Sequence, residues 1–532
     1  MNLKAKFDRL FSRIPFGAEL DYALFWRTGR TLPDHYRLPN LIKSGEACAS
    51  AARNAARSAQ PGKRVFLFGT LHYWIEHTTL MGLALAGQGH RVTLAYLPYA
   101  DWYTPVSKFV MRRRILYTRD ILKPTSDLLE DVLLSTNGSD TALPDELQRE
   151  VEHISTLDVQ YTLQAEEIDP QSSLYQLRLE RNTAAARAAL AKFQAEKPDG
   201  IILPTGSILE FGAIYMVATF LGIPTITYEF SEKSNSLWLA QNAQIMLHDI
   251  DALWKARRQM SLTDEQREAL RAYLASRQTS QRDSNFALVL QEAPRQGQGI
   301  RATLGLDERP IVLLPTNVLG DALTLDRQLF SGSMTEWFLR TLKYFLTRTD
   351  VQVVIRIHPG EALVKGPSIS RFVEQKFPKL PGHIHLIAAH EKINTYDLMD
   401  MADLGLVYTT TAGLEMATRG IPVIAGGQTH YRARGFTTDV DTWEQYFSTL
   451  DRILPDLPAH RLSHDELEMA WNYAYHFFME FPRPYPWHLY TMYDDLGRHP
   501  MQDVLSEAGA RIYKKTFDHL VGVPLDWKNI EG

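Results

Sequence analysis

Two separated runs in which a short apolar strand alternates with a helix constrain this chain more than any other feature. The first opens at Arg64-Val-Phe-Leu-Phe68, breaks at Gly69-Thr70, continues as a helix through Leu85 and returns to a strand at Arg91-Val-Thr-Leu-Ala-Tyr96. It resumes at Asp199-Gly-Ile-Ile-Leu-Pro204 and again from Pro224 to Tyr228. The second run places strands at Pro310–Pro315, Val351–Ile357, His383–Ile387, Leu404–Tyr408 and Ile421–Ala425, with helices between them. Uninterrupted apolar strands joined by crossover helices make parallel sheets buried on both faces. Two such runs predict an α/β chain built from two Rossmann-like domains facing a cleft.

The remaining segments read as additions to that plan. A helical N-terminal extension is expected over residues 1–60, and the N-terminal Rossmann-like domain over 61–247, with a helical insertion at about 112–195. A polar helical connector over 248–300 precedes the C-terminal Rossmann-like domain, 301–460, and a helical, aromatic-rich tail over 461–532 is expected to pack across both domains. In the extension, Leu3, Phe7, Leu10, Phe11 and Ile14 recur at helical spacing, with Lys4, Lys6, Arg9 and Arg13 on other faces. A peripheral membrane contact through residues 1–14 is one reading of that stripe, and packing against the protein is the other.

Composition narrows the function classes. Apolar residues make up 45% of the 532 and charged residues 22%, the balance of an ordinary globular protein. The net charge of −5, from 57 basic and 62 acidic residues, provides no basic field to gather nucleic acid, so no nucleic-acid partner is expected. The single cysteine, Cys48, can form neither an internal disulfide nor a thiolate cage, which suits a reducing, cytoplasmic setting. No secretion signal is read at the N-terminus, and the uncharged stretch 211–228, punctuated by Gly212, Gly222 and Pro224, reads as a buried helix and strand rather than a membrane span.

Ligand-binding residues are sought where parallel strands end, because crevices in such sheets open beyond the carboxyl ends of strands. Arg356-Ile-His-Pro-Gly-Glu361 follows one apolar strand, and Pro359 stiffens the turn that carries His358. Thr409-Thr-Thr-Ala-Gly413 follows another and runs into a helix with Glu415 in its first turn. Backbone N–H groups at that helix start, with the hydroxyls of Thr409, Thr410 and Thr411, could hold a phosphate, and Glu415 could accept from ribose hydroxyls. The competing reading is plain helix capping, with Glu415 complementing the dipole.

Together with Gly420–Gly427 and His430-Tyr-Arg-Ala-Arg-Gly-Phe-Thr437, these segments resemble bacterial capsule polysaccharide biosynthesis proteins and, more widely, Kdo-transferase and sialyltransferase-like glycosyltransferases of the GT-B fold. The resemblance is most specific over about residues 310–438. It implies a glycosyltransferase that binds a nucleotide-sugar, CMP-linked rather than UDP-linked, through Arg356, His358, Pro359, Glu361, Thr409, Thr410, Thr411, Ala412, Gly413 and Glu415. Arg432 and Arg434 become candidates to stabilise the leaving phosphate. No further cofactor is implied, and the acceptor would be a surface glycan or glycolipid on the inner face of the membrane.

Direct attack by an acceptor hydroxyl needs a base. His72 and Glu76, four apart after the first strand, and Glu210, after Thr205-Gly-Ser207, are the candidates, with Asp101 and Glu229 in reserve. No metal is expected: the pairs Asp249/Asp251 and Asp439/Asp441 have metal-binding spacing but read as solvated loop charge. The alternatives are a nucleotide-sugar epimerase, a CDP-alcohol phosphotransferase, and a non-catalytic nucleotide-sugar-binding subunit.

Overall fold

A computed structural model describes residues 11–12, 14–27, 36–135, 142–278, 299–363 and 366–529. Most of the residues 1–14 stripe, including Leu3, Phe7 and Leu10, lies outside these. The chain divides into two compact units. One comprises residues 1–158, 169–246 and 483–525, and the other 159–168, 247–482 and 526–532. Both are α/β.

The N-terminal unit carries seven strands in the order β13-β6-β5-β4-β1-β2-β3. They are β1 (Arg64–Thr70), β2 (Arg91–Leu97), β3 (Leu129–Leu133), β4 (Gly200–Pro204), β5 (Thr225–Phe230), β6 (Ser236–Gln241) and β13 (Arg483–Pro484). Strands β3, β2, β1, β4 and β5 are parallel, while β6 adds antiparallel to the β5 edge and β13 antiparallel to β6. The insertion at 112–195 is therefore not wholly helical. Its Leu129-Glu-Asp-Val-Leu133 segment is an edge strand in register with β2, and alternate polar side chains are tolerated there because one side of an edge strand faces water. The tail is divided between the units, Arg483–Leu525 clustering with the N-terminal unit and the preceding residues with the other.

The C-terminal unit holds six parallel strands in the order β12-β11-β10-β7-β8-β9. These are β7 (Ile311–Pro315), β8 (Gln352–Arg356), β9 (Ile384–Ile387), β10 (Leu404–Val407), β11 (Val423–Ala425) and β12 (Thr438–Asp439). Alternate residues go to opposite faces: Val312, Leu314, Val353 and Ile355 enter one buried cluster, and Ile311, Leu313 and Val354 the other. Both faces are thus covered. The helix Met334–Phe345 shows how. Ser333 caps it by accepting from the Glu336 N–H, and Met334, Trp337, Phe338, Thr341, Leu342 and Phe345 form its buried stripe. Each large apolar side chain so buried contributes roughly 1.5–3 kcal/mol.

Buried charge in the N-terminal unit is neutralised in place. Arg178, with no exposed side-chain surface, lies 3.1 Å from Asp158 and 3.2 Å from Glu210, and Asn182 donates to the same Asp158. Removing the guanidinium would strand two carboxylates in the interior. Arg178→Met should therefore lower stability by about 3–5 kcal/mol, read as a drop in the urea midpoint, with Arg178→Lys losing less.

Candidate functional site

Strand order defines where each unit can hold a ligand. In the C-terminal unit the chain proceeds from β7 to β8 and β9 on one side, then returns to build β10 and β11 on the other. The loops after β7 and β10 consequently leave in opposite directions, which is the switch point where open parallel sheets bind ligands. Thr316 and Asn317, directly after β7, occupy it. Thr316 Oγ1 accepts from the His358 backbone N–H at 3.0 Å, and Asn317 Oδ1 accepts from the Thr409 N–H at 3.3 Å. Two adjacent side chains thereby bring together the His358 loop and the threonine loop, which are 51 residues apart in the chain (409 − 358).

The His358 imidazole has a defined tautomer. Its Nδ1 accepts from the Gly360 N–H at 3.0 Å, so a neutral ring carries its proton on Nε2. Burial and the Arg356 guanidinium lower its pKa to about 4. Both causes act in one direction and leave the imidazole neutral at pH 7, although part of the residue reaches the surface. Pro359 is buried, at the start of a short 3-10 turn, Pro359–Leu363.

In the threonine loop each residue has a separate task. Thr409 is buried, and its hydroxyl is within reach of no protein partner. Thr410 Oγ1 accepts from the Ala412 N–H at 3.3 Å, while its carbonyl accepts from the Tyr431 hydroxyl at 2.7 Å. Thr411 precedes the helix Ala412–Ala417 without capping it through its side chain. Gly413 is required by packing: a Cβ there would lie 2.3 Å from the Tyr431 hydroxyl.

Several residues expected to touch a donor are engaged elsewhere. Glu415 is buried and meets Arg277 at 2.8 Å through Oε1, as that cation's counter-ion, while its Oε2 has no protein partner. Arg356 is buried under the loop after β9 and donates to the carbonyls of Ala388 and Glu391, at 2.7 and 3.3 Å. Glu361 accepts from the Ser368 hydroxyl and the Ile369 N–H, holding the start of the helix Ile369–Lys376. Arg432 pairs with Asp441 at 2.7 Å and lies 3.8 Å from Asp439, and Arg434 pairs with Asp251. Both arginines are thus bound to the acidic residues whose spacing suggested a metal. Among the described residues, no group of three or more His, Cys, Asp or Glu side chains is arranged to hold one.

The N-terminal unit has its own switch point, between β1 and β4. Three non-glycine residues in its flanking loops adopt positive φ: Leu71 (63°) after β1, and Thr205 (48°) and Leu209 (56°) after β4. Such backbone strain persists only where the surroundings enforce it, and it concentrates at functional loops. His72 begins the helix His72–Gly87, half-buried, with Nδ1 buried and unpartnered. Burial and Arg114 lower its pKa. Ser207 Oγ is likewise buried without a partner.

Glu76 and Glu210 are not oriented as bases. The Glu76 carboxylate accepts from the N–H groups of Asn40 and Leu41, at 2.6 and 3.2 Å, and from Asn40 Nδ2 at 2.8 Å, capping the helix Pro39–Ala56. Burial still raises its pKa to about 7. Glu210 is 1% exposed and bound to Arg178. Asp101 stabilises a turn by accepting from the Tyr103 and Thr104 N–H groups. Glu229, at the carboxyl end of β5, is half-buried, with its pKa raised to about 7 by desolvation.

Thr316 and Asn317 carry the geometry yet do not stand out in the sequence. The signal was Pro315-Thr-Asn317 directly after an apolar strand, readable only once strand order is known.

Two outcomes follow for the C-terminal unit. Arg277→Met should cost about 3–5 kcal/mol of stability by leaving Glu415 buried and uncompensated, measured by denaturant titration. Stability should also rise with pH between about 5 and 6.5. Burial pushes His248 down to about 3, His358 to about 4 and His430 further still, so the unfolded chain takes up protons near the ordinary 6.5 that the folded unit refuses. Asp321 and Glu361, raised by burial, work in the opposite sense, but His385 is lowered as well, so four groups act against two. A thermal midpoint flat or falling with pH over that range would contradict the assignment.

Residues 273–469 match the family described as capsule polysaccharide biosynthesis protein. Comparison with curated proteins returns no match. Among solved structures, the chain is similar to the KpsC β-Kdo 2,4-transferase of Thermosulfurimonas dismutans, at 14% identity over 62% of this chain and 88% of that one, with a TM-score of 0.35. The β-Kdo 2,7-transferase of the same protein and organism matches at 14% identity over 57% and 87%, TM-score 0.32. UDP-GlcNAc 2-epimerase from Neisseria meningitidis matches at 13% over 79% and 99%, TM-score 0.26. The match in sequence that bears on function is therefore that of residues 273–469 to capsule polysaccharide biosynthesis proteins.

Proposed function

We propose that this protein is a glycosyltransferase of capsule or surface-polysaccharide synthesis, with a nucleotide-sugar donor bound at the switch point of the C-terminal unit. The observation that carries this reading is the convergence of His358 and Thr409 on the Thr316–Asn317 pair, with the Thr409 hydroxyl buried and unpartnered. A buried hydroxyl without a partner costs free energy unless a ligand completes it. The Nε2–H of a neutral His358 and the Thr409 hydroxyl are both donors, suited to phosphate oxygens. We read the donor as CMP-linked, following the capsule-type motifs, and the acceptor as a glycan or glycolipid hydroxyl.

In this reaction the acceptor oxygen forms a bond to the anomeric carbon as the bond from that carbon to the phosphate oxygen breaks. The nucleotide leaves with the electron pair. The acceptor proton passes to a base, for which His72 Nδ1 is our assignment: it is unpartnered and its ring is neutral at pH 7. Glu76 and Glu210 are not used, because their oxygens are committed to a helix cap and an ion pair. Among the described residues, no helix is long and apolar enough to cross a membrane.

Calorimetric titration with CMP, UDP and their sugar conjugates tests the donor site. His358→Ala and Thr409→Val should each weaken nucleotide binding about tenfold or more, while Thr409→Val leaves the unfolding midpoint within ~0.5 kcal/mol because no protein hydrogen bond is lost. Folded protein that binds no nucleotide or nucleotide-sugar would refute the reading. His72→Asn should lower kcat by about 10²–10⁴-fold with donor affinity unchanged. Donor consumed at full rate without acceptor, giving an isomerised sugar, would instead identify an epimerase.

A further inference from the structure

The helix Gly17–Arg27 of the N-terminal unit is amphipathic in the wrong direction for a helix that only packs on its own protein. Three of its polar side chains are bonded to the neighbouring helix. Asp21 is buried and forms an ion pair with buried Arg113 at 2.7 Å, Glu19 accepts from Arg112 Nε at 2.7 Å, and the Tyr22 hydroxyl donates to Asp120 at 2.7 Å. Two of its apolar side chains point outward. Leu20 and Leu24, one turn apart, are 48% and 51% exposed, and the preceding turn adds Ile14 at 42% and Phe16 at 80%. A surface helix normally buries its apolar stripe and solvates its charges. Here three charged or hydroxyl groups fix the helix to the helix Lys108–Leu122 so that the apolar stripe faces water.

The flanking charge indicates what covers it. Along the Lys108–Leu122 helix and its first following residue, Lys108, Arg112, Arg119 and Lys123 are all exposed, and their spacing of four, seven and four residues sets them in one row, which meets the Gly17–Arg27 helix where Arg112 donates to Glu19. Arg112 is paired with Glu19, which leaves Lys108, Arg119 and Lys123 against the single carboxylate of Asp120, to which Tyr22 donates. An apolar ridge bordered by cations matches the surface of an anionic bilayer, which accepts the side chains at the acyl boundary and the cations among headgroups.

We propose that the ridge Ile14, Phe16, Leu20 and Leu24, with its row of cations, docks this protein on an anionic lipid surface. The contact is separate from the donor site, and its test does not depend on sugar transfer. The full chain is sedimented with vesicles of phosphatidylglycerol and phosphatidylcholine, and with phosphatidylcholine alone, at about 0.1 and 0.5 M salt. Binding is expected to the mixed vesicles and to weaken at high salt. The variant Phe16→Ser/Leu20→Ser/Leu24→Ser should lower that binding on the order of tenfold with its unfolding midpoint kept, because all three side chains are solvent-facing. Lys108→Glu/Arg119→Glu/Lys123→Glu should abolish the preference for anionic lipid. Three results would overturn the proposal: no vesicle binding by the unmodified chain, serine and unmodified chains that bind alike, or a sedimentation-velocity dimer that the serine variant dissociates. The last would assign the ridge to a second copy.

Discussion

A parallel sheet that grows in both directions from one central strand must leave a gap where its loops part, and in the C-terminal unit that gap lies above β7. Everything assigned to the donor depends on how it is filled. Thr316 and Asn317 do so with one acceptor each, and through them the loops after β8 and β10 share a support that neither has alone. The covered faces of the sheet make this support rigid, because the strands are fixed by clusters on both sides.

Charged residues near this edge behave less like ligand contacts than like packing. Arg277 pairs with Glu415 and Arg434 with Asp251, and Arg356 donates to backbone carbonyls, while Glu415 Oε2, Arg434 Nε and Arg356 Nε stay buried without a partner. Pairing of this kind contributes little net stability once desolvation is counted, but loss of one partner is costly.

Much of the architecture was legible because apolar strands of four to seven residues with helices between them have few other solutions, and β1, β2, β4, β5 and β7–β11 all lie where that alternation puts them. Edge elements were not. Leu129–Leu133 carries Glu130 and Asp131, β13 is two residues long, and β6 pairs antiparallel after a tight turn, so none shows the apolar run that marks a central strand. In the site, His358 and Thr409 could be found as polar residues at strand ends. The role of Glu415 could not, because its partner Arg277 is 138 residues away and nothing local announces it. Glu76 failed for a related reason, being spent on the helix Pro39–Ala56, whose start lies 36 residues earlier.

The positive φ values at Leu71, Thr205 and Leu209 have a consequence for any molecule that meets the N-terminal unit. Each conformation is disfavoured by on the order of 1–3 kcal/mol in a free peptide, so the folded unit has already met that expense through its core. A ligand would therefore find these loops cast like a mould before it arrives, with little chain entropy left to lose. Replacing any of the three by glycine would relax the cast and let the loop wander, loosening selection among ligands while leaving the sheet below it intact.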